Sequence, residues 1–325
     1  MTAARDALPW QAGLWAHMSR AIADGHVGHG LLFCGPPGVG KRAFAERTVR
    51  ALLCRDRTAD GDACDRCGVC HQYKAGTHPD LSQLVPEETG RPIKVEAVRA
   101  FAERLQLTSQ YDTGRLGWIE PAEALSASAA NSLLKTLEEP PAGCHIVLIT
   151  DRVSAVMPTI RSRCQLWRIP PPAPAEARAW LSAQGIDAEG LDSDSLRTPL
   201  AVHARQSRDY DRLAAAWDAD LAELLAARAD AVEVAERAAA DPADLWLDWL
   251  YRRSGALLTA SLGQGADAEL PAPLARAGAR LEPAALQRWC ARVAETARLA
   301  HTNADWRLVI ESLLLHLSEA VRRTR

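Results

Sequence analysis

Lys41 and the glycines before it are the first residues whose types and spacing could do chemistry. Gly35, Gly40 and Lys41 in Leu31–Arg42 (LLFCGPPGVGKR) stand at the spacing G-x-x-x-x-G-K-[ST] of a phosphate-binding loop. Such a loop wraps its backbone around a phosphate so that N–H groups point inward, and the next helix adds its positive end. Gly38 fits the same turn, and Lys41 would reach the outer phosphates. The last position should carry a hydroxyl for magnesium, and here it is Arg42. The loop therefore has the residues to meet a phosphate and lacks the ligand for its metal.

Hydrolysis also requires a second strand ending in acids, one for the metal and one to polarise the attacking water. The candidate is Leu116–Ile119, followed by Glu120, Pro121, Ala122 and Glu123. Glu120 could approach a metal, but Pro121 stands where the second acid belongs and offers no proton acceptor. Two independent parts of the machinery are altered, which favours a loop kept as scaffold with little or no turnover. Nucleotide binding as such stays open, with ATP or ADP as the candidates.

Cys54, Cys64, Cys67 and Cys70 are separated by nine, two and two residues. Tight C-x-x-C turns aim two thiolates at one point, and four sulfurs close a tetrahedral zinc shell, so the site would be structural. A redox pair, an iron–sulfur cluster, or His71 or His78 in place of one cysteine are the rival readings. Arg161 and Arg163, in Thr159–Cys164, are a further pair. They are solvated charge or bind an acid, or else one is an arginine finger, which stabilises a neighbour's transferring phosphoryl by roughly 10³–10⁵ in rate.

The elements that must position these residues follow from periodicity. Trp10, Leu14, Met18 and Ile22 recur as on one helical face. Leu31–Cys34, Leu116–Ile119 and Ile146–Thr150 read as strands. Helices are expected over 41–53, over 95–107, and from a Ser126 cap to Glu139, stopped by Pro140 and Pro141. Strands alternating with helices predict a parallel sheet covered on both faces. A proline-rich linker follows at 169–174. Beyond it the chain reads as helical, with a stripe Trp306, Val309, Ile310, Leu313, Leu314, Leu317 and another starting Leu286, Trp289, Val293 as bundle core.

The chain has 325 residues and a formal charge of −3, so no global basic footprint for nucleic acid exists. Asp56, Asp60, Asp62 and Asp65 make the cysteine segment acidic, tempered by Arg55, Arg57 and Arg66, which argues against a zinc module that binds DNA by itself. No run approaches the roughly 18 apolar residues of a membrane span. No signal-peptide pattern opens the sequence. A cytoplasmic protein with no membrane association is expected, in which the eight cysteines stay out of disulfides.

The order of GPPGVGKR, the cysteine cluster followed by AGTHPD (Ala75–Asp80), NSLLKTLEEPP (Asn131–Pro141) and RSRC (Arg161–Cys164) resembles that of the bacterial clamp-loader AAA+ subunits of DNA polymerase III. The resemblance covers about residues 5–205 with specific motifs, and the rest only through helical character and the pattern Asn303–Leu317. It implies an α/β AAA+ phosphate-loop core over 1–168 with a zinc module at about 54–78. It also implies a small helical lid over 169–206 and an all-α collar for oligomerisation over 207–325. It implies a stator type of subunit without ATPase activity of its own, in a five-membered ring with one delta and three gamma/tau copies. That ring opens the sliding clamp and places it on primer-template DNA as part of the polymerase holoenzyme. Arg163 maps onto the finger arginine acting in trans, and Thr150 onto the first sensor. Arg197 is a candidate second sensor whose register stays open. The alternative is an active motor of the gamma/tau type, which Pro121 and Arg42 disfavour.

Overall fold

The structure is a computed structural model. It describes residues 7–88, 91–111, 113–189, 191–206, 209–263, 270–296 and 305–324. Asn303, where the collar pattern opens, lies outside the described residues.

Five parallel strands form one sheet in the order β2-β3-β4-β1-β5: β1 Gly30–Cys34, β2 Leu81–Leu84, β3 Leu116–Ile119, β4 His145–Thr150 and β5 Gln165–Arg168. The three inner strands are the apolar runs visible in the sequence, because a parallel sheet with helices on both faces buries each strand twice. All of β1 and β3 is buried. The edge strands β2 and β5 were not legible as strands. Each has four residues, carries polar side chains, and is partly exposed.

Helices α1 Ala12–Ala23, α2 Lys41–Leu53 and α3 Gly68–Ala75 precede β2. Helices α4 Val95–Leu105 and α5 Ala127–Glu138 flank β3, and α6 Pro158–Arg161 follows β4. Phe33, Phe44, Met18, Trp15 and Trp118 fill one face of the sheet, and Leu32, Phe101, Leu133 and Leu148 fill the other. The predicted cap holds, since the Ser126 hydroxyl accepts from Ala129 N at 3.2 Å.

The remaining helices are α7 Pro174–Ala183, α8 Ser193–Arg197, α9 Pro199–Gln206, α10 Tyr210–Leu225, α11 Ala231–Ala238, α12 Ala243–Ser261, α13 Ala272–Gly278, α14 Pro283–Thr296 and α15 Trp306–Thr324. The chain forms two compact units. One runs to Ala188 and includes Ser193–Val202, and the other holds Glu189–Asp192 with the chain from His203. The second unit is a helical assembly around Trp217, Trp246, Trp249, Trp289, Ile310, Leu313 and Leu317, the last four from the stripes expected from the sequence. No helix among the described residues is long and apolar enough to cross a membrane.

Candidate functional site: an altered phosphate loop, a surface arginine and a four-cysteine cluster

The sheet order reverses around β1, which lies between β4 and β5. In open α/β sheets, ligands collect at the carboxyl ends of strands at such a reversal. The loop 35–40 leaves β1 there and enters α2. Gly40 is left-handed at φ +91°, and a Cβ there would come 2.2 Å from Leu8 Cδ1, so only glycine fits. Gly38, at φ +78°, has Ala201 within 2.8 Å of where its Cβ would be, and Leu200 N donates to its carbonyl at 3.2 Å. Gly35 has the Ile169 carbonyl at 2.5 Å from the same virtual atom.

The loop is also braced from its amino-terminal side. Gln11 Nε2 donates to Val39 O (3.2 Å) and Gly40 O (3.0 Å), and Trp10 Nε1 donates to Val39 O at 3.0 Å. Sequence reasoning missed these braces, because nothing in the spacing links Gln11 to a loop far along the chain. Lys41 is buried, and its ammonium is engaged by the chain itself. It donates to Pro36 O at 2.6 Å and pairs with Asp151 at 2.5 Å. Asp151 follows Thr150, the expected sensor, which sits buried beside Cys34 and accepts from Arg152 N at 3.0 Å.

Arg42 and Glu120, the residues at the two metal-holding positions, pair with each other. Arg42 Nη1 lies 3.2 Å from Glu120 Oε2, and its Nε donates to Glu46 at 3.1 Å. Trp118 Nε1 donates to the same Glu120 oxygen at 3.2 Å. Burial pushes the Glu120 carboxyl above its ordinary range, and Arg42 pulls it back. A guanidinium thus supplies the positive charge beside Glu120 that a divalent cation would supply in a hydrolysing site. The Pro121 side chain offers no acceptor next to it, and its carbonyl accepts from Ala124 N at 3.1 Å. Glu123 lies on the 3-10 turn Ala122–Ala124, with its Oε2 out of contact with solvent and with no hydrogen-bond partner.

Arg163 is at the surface behind α6. Its Nε donates to Glu138 Oε1 at 2.7 Å, Nη2 contacts the same oxygen, and Nη1 donates to Thr159 O at 3.0 Å and Ser162 Oγ at 3.3 Å. Glu138 closes α5 within the NSLLKTLEEPP segment, so two motifs that are separate in the sequence meet in space.

Cys54 ends α2, Cys67 caps the amino end of α3, and Cys70 lies in the first turn of α3. The four sulfurs of Cys54, Cys64, Cys67 and Cys70 lie within 4.8 Å of one another, with Cys64 and Cys70 at 4.0 Å. A tetrahedron with Zn–S of about 2.3 Å separates its sulfurs by about 3.8 Å, so the cluster has the size and donor set for zinc. Backbone N–H groups, that of Arg66 foremost, pull the Cys64 thiol down to about 6, while burial pushes those of Cys54 and Cys70 up. The rival ligands are placed otherwise. His71 is exposed, and His78 is buried with Nδ1 accepting from Asp80 N at 3.1 Å. Two of the acids around the cluster pair with cations of helices α2 and α3. Asp62 takes both Nε and Nη2 of Arg47 (2.6 and 2.7 Å), and Asp65 pairs with Arg50 and Lys74.

A five-stranded parallel sheet in this order, with a phosphate loop after β1, the neighbour of the central strand β4, defines an AAA+ type of phosphate-loop module. A gamma subunit-related protein of DNA polymerase III from Thermotoga maritima shares the fold, with a TM-score of 0.51 at 16% identity over 95% of this chain and 99% of that one. The chain belongs to the family described as DNA polymerase III, delta subunit, whose sequence model matches residues 10–173. It is 41% identical over 177 residues to the DNA polymerase III subunit delta' of Pseudomonas aeruginosa, covering 54% of this chain and 53% of that protein. It is 34% identical over 196 residues to the subunit delta' of Escherichia coli, covering 60% and 57%. The chain thus spans little more than half the length of the curated relatives it matches.

Proposed function

We propose that this chain is a delta-prime, stator-type subunit of a bacterial clamp loader: it does not turn over ATP itself and offers Arg163 to the nucleotide held by an adjacent subunit. The observation that carries this reading is the Arg42–Glu120 ion pair, which puts a side-chain cation where a hydrolysing site needs a metal. Family membership and the two delta' relatives support it. In this reading Gly35, Gly38, Gly40, Lys41 and Arg42 form a scaffold. Any ATP or ADP there is a structural ligand, and Thr150 and Arg197 are remnants of sensors. Cys54, Cys64, Cys67 and Cys70 hold one structural zinc. The three-part division at 1–168, 169–206 and 207–325 assigns the last part to assembly with gamma/tau and delta subunits in a hetero-pentamer. The assembled ring, in the cytoplasm, loads the sliding clamp on primed DNA.

The test is reconstitution. Mixed with the gamma/tau and delta subunits of the same organism, the chain joins a single complex on gel filtration. It also raises ATP turnover, in the presence of clamp and primed DNA, above that of the partners without it. A chain that joins no complex, or one that joins and leaves turnover unchanged, contradicts the proposal.

A further inference from the structure

The side chain that meets Arg163 most closely is a carboxylate of its own chain. We propose that Glu138 is a positioning residue for Arg163, a latch that holds the guanidinium on its own subunit until the phosphates of a neighbour's nucleotide compete for it. This rests on the finger reading of Arg163 given above.

A guanidinium has five N–H donors. In the free chain four are committed: Nε and one Nη2 hydrogen to Glu138, and the two on Nη1 to Thr159 O and Ser162 Oγ. Every acceptor belongs to the same chain. A finger acts by presenting net positive charge and free donors to the transferring phosphoryl. With Glu138 in contact, Arg163 has one donor left and most of its field is cancelled.

The backbone on both sides is fixed, so only the side chains need to move. Leu137 is buried, and its carbonyl is hydrogen-bonded to His29 Nε2 at 2.7 Å, which pins the last turn of α5. Cys164, next to Arg163, is packed against Gly30, with its sulfur 3.1 Å from where a Cβ on that glycine would sit. The pair itself is wet, with side-chain exposures of 34% for Arg163 and 49% for Glu138. Exposed pairs of this kind hold weakly, so a polyphosphate in a closed interface displaces the carboxylate, and removing the latch shifts the competent population by a factor of about two to five.

The test uses the reconstituted complex and reads ATP turnover against ATP concentration. Glu138→Gln keeps the size and loses the charge. Its expected result is a kcat two- to five-fold above the unmodified complex with KM for ATP unchanged, because the freed arginine acts in the transition state. Glu138→Asp, which restores the charge, brings kcat back down toward the unmodified value. In an Arg163→Ala background, Glu138→Gln has no effect. A lower or unaltered kcat for Glu138→Gln overturns the latch, as does an equal rise in the Arg163→Ala background. If Arg163→Ala alone leaves turnover unchanged, the finger reading itself fails, and that result is separate from any of the Glu138 outcomes. Thermal melting of each variant at the unmodified temperature confirms that folding is not what is being read.

Discussion

Arg163→Ala, built into the reconstituted complex, is expected to cut ATP turnover at the adjacent subunit's site by about 10³-fold, the lower end of what an arginine finger contributes. The complex itself should assemble with unchanged yield. The side chain is partly exposed and makes only surface hydrogen bonds, so its truncation leaves one solvated carboxylate, Glu138, without a partner. Surface substitutions of this kind stay within about 0.5 kcal/mol of neutral. Arg163→Lys should recover little, because an ammonium is a point charge and cannot reproduce the planar fork. Turnover that is indifferent to both variants would leave the surface arginine as ordinary solvated charge.

The second large effect concerns the cysteine cluster. Cys67→Ser is expected to abolish zinc content, measured as metal per chain after dialysis, and to lower the melting temperature of the first unit by about 10 °C. Three reasons converge. A structural zinc in a small module contributes about 10–16 kcal/mol of apparent binding free energy. The segment between Cys54 and Cys64 has few apolar residues with which to order itself. Cys67 also caps α3, with its sulfur accepting from Cys70 N at 3.4 Å. The effect stops short of global unfolding because the module has other tethers, namely the Arg47–Asp62 pair, Trp15 Nε1 donating to Asp60 O at 3.1 Å, and Arg47 stacked 4.0 Å over the Trp15 ring. A loss of about 3 kcal/mol translates into a shift of this size for a unit of this length. A chelator should reproduce the shift in the unmodified chain and do nothing further to Cys67→Ser. A metal-free chain whose melting ignores the chelator would make the cluster a set of reduced thiols.

These two sites were legible in the sequence for different reasons. The cysteines announce themselves by spacing, since C-x-x-C turns converge whatever surrounds them, and the structure brings all four sulfurs together. The phosphate loop is equally local, one strand, one turn and one helix. The strands β1, β3 and β4 are legible because burial on both faces forces an uninterrupted apolar run, whereas Leu-Ser-Gln-Leu in β2 and Gln-Leu-Trp-Arg in β5 lie at the edges and escape that constraint. Contacts made only by the tertiary fold stayed hidden. Arg42 reads in the sequence as a missing hydroxyl and Glu120 as a lone acid, and only the sheet brings them to 3.2 Å. Asp151 on Lys41, Gln11 on the loop carbonyls and Glu138 on Arg163 are of the same kind. NSLLKTLEEPP reads as a motif, but the partner of its Glu138 lies beyond a strand and another helix.

The central claim is that the altered loop does not turn over nucleotide. The most direct measurement is steady-state ATP hydrolysis by the purified chain alone, with magnesium, beside its Lys41→Ala variant. The account predicts no turnover above background for either protein, because Arg42 occupies the charge position of the metal and Pro121 cannot polarise water. Turnover by the unmodified chain that Lys41→Ala abolishes would contradict it. Glu120 or Glu123 would then be acting on a metal-bound nucleotide, and the chain would be a motor of the gamma/tau type.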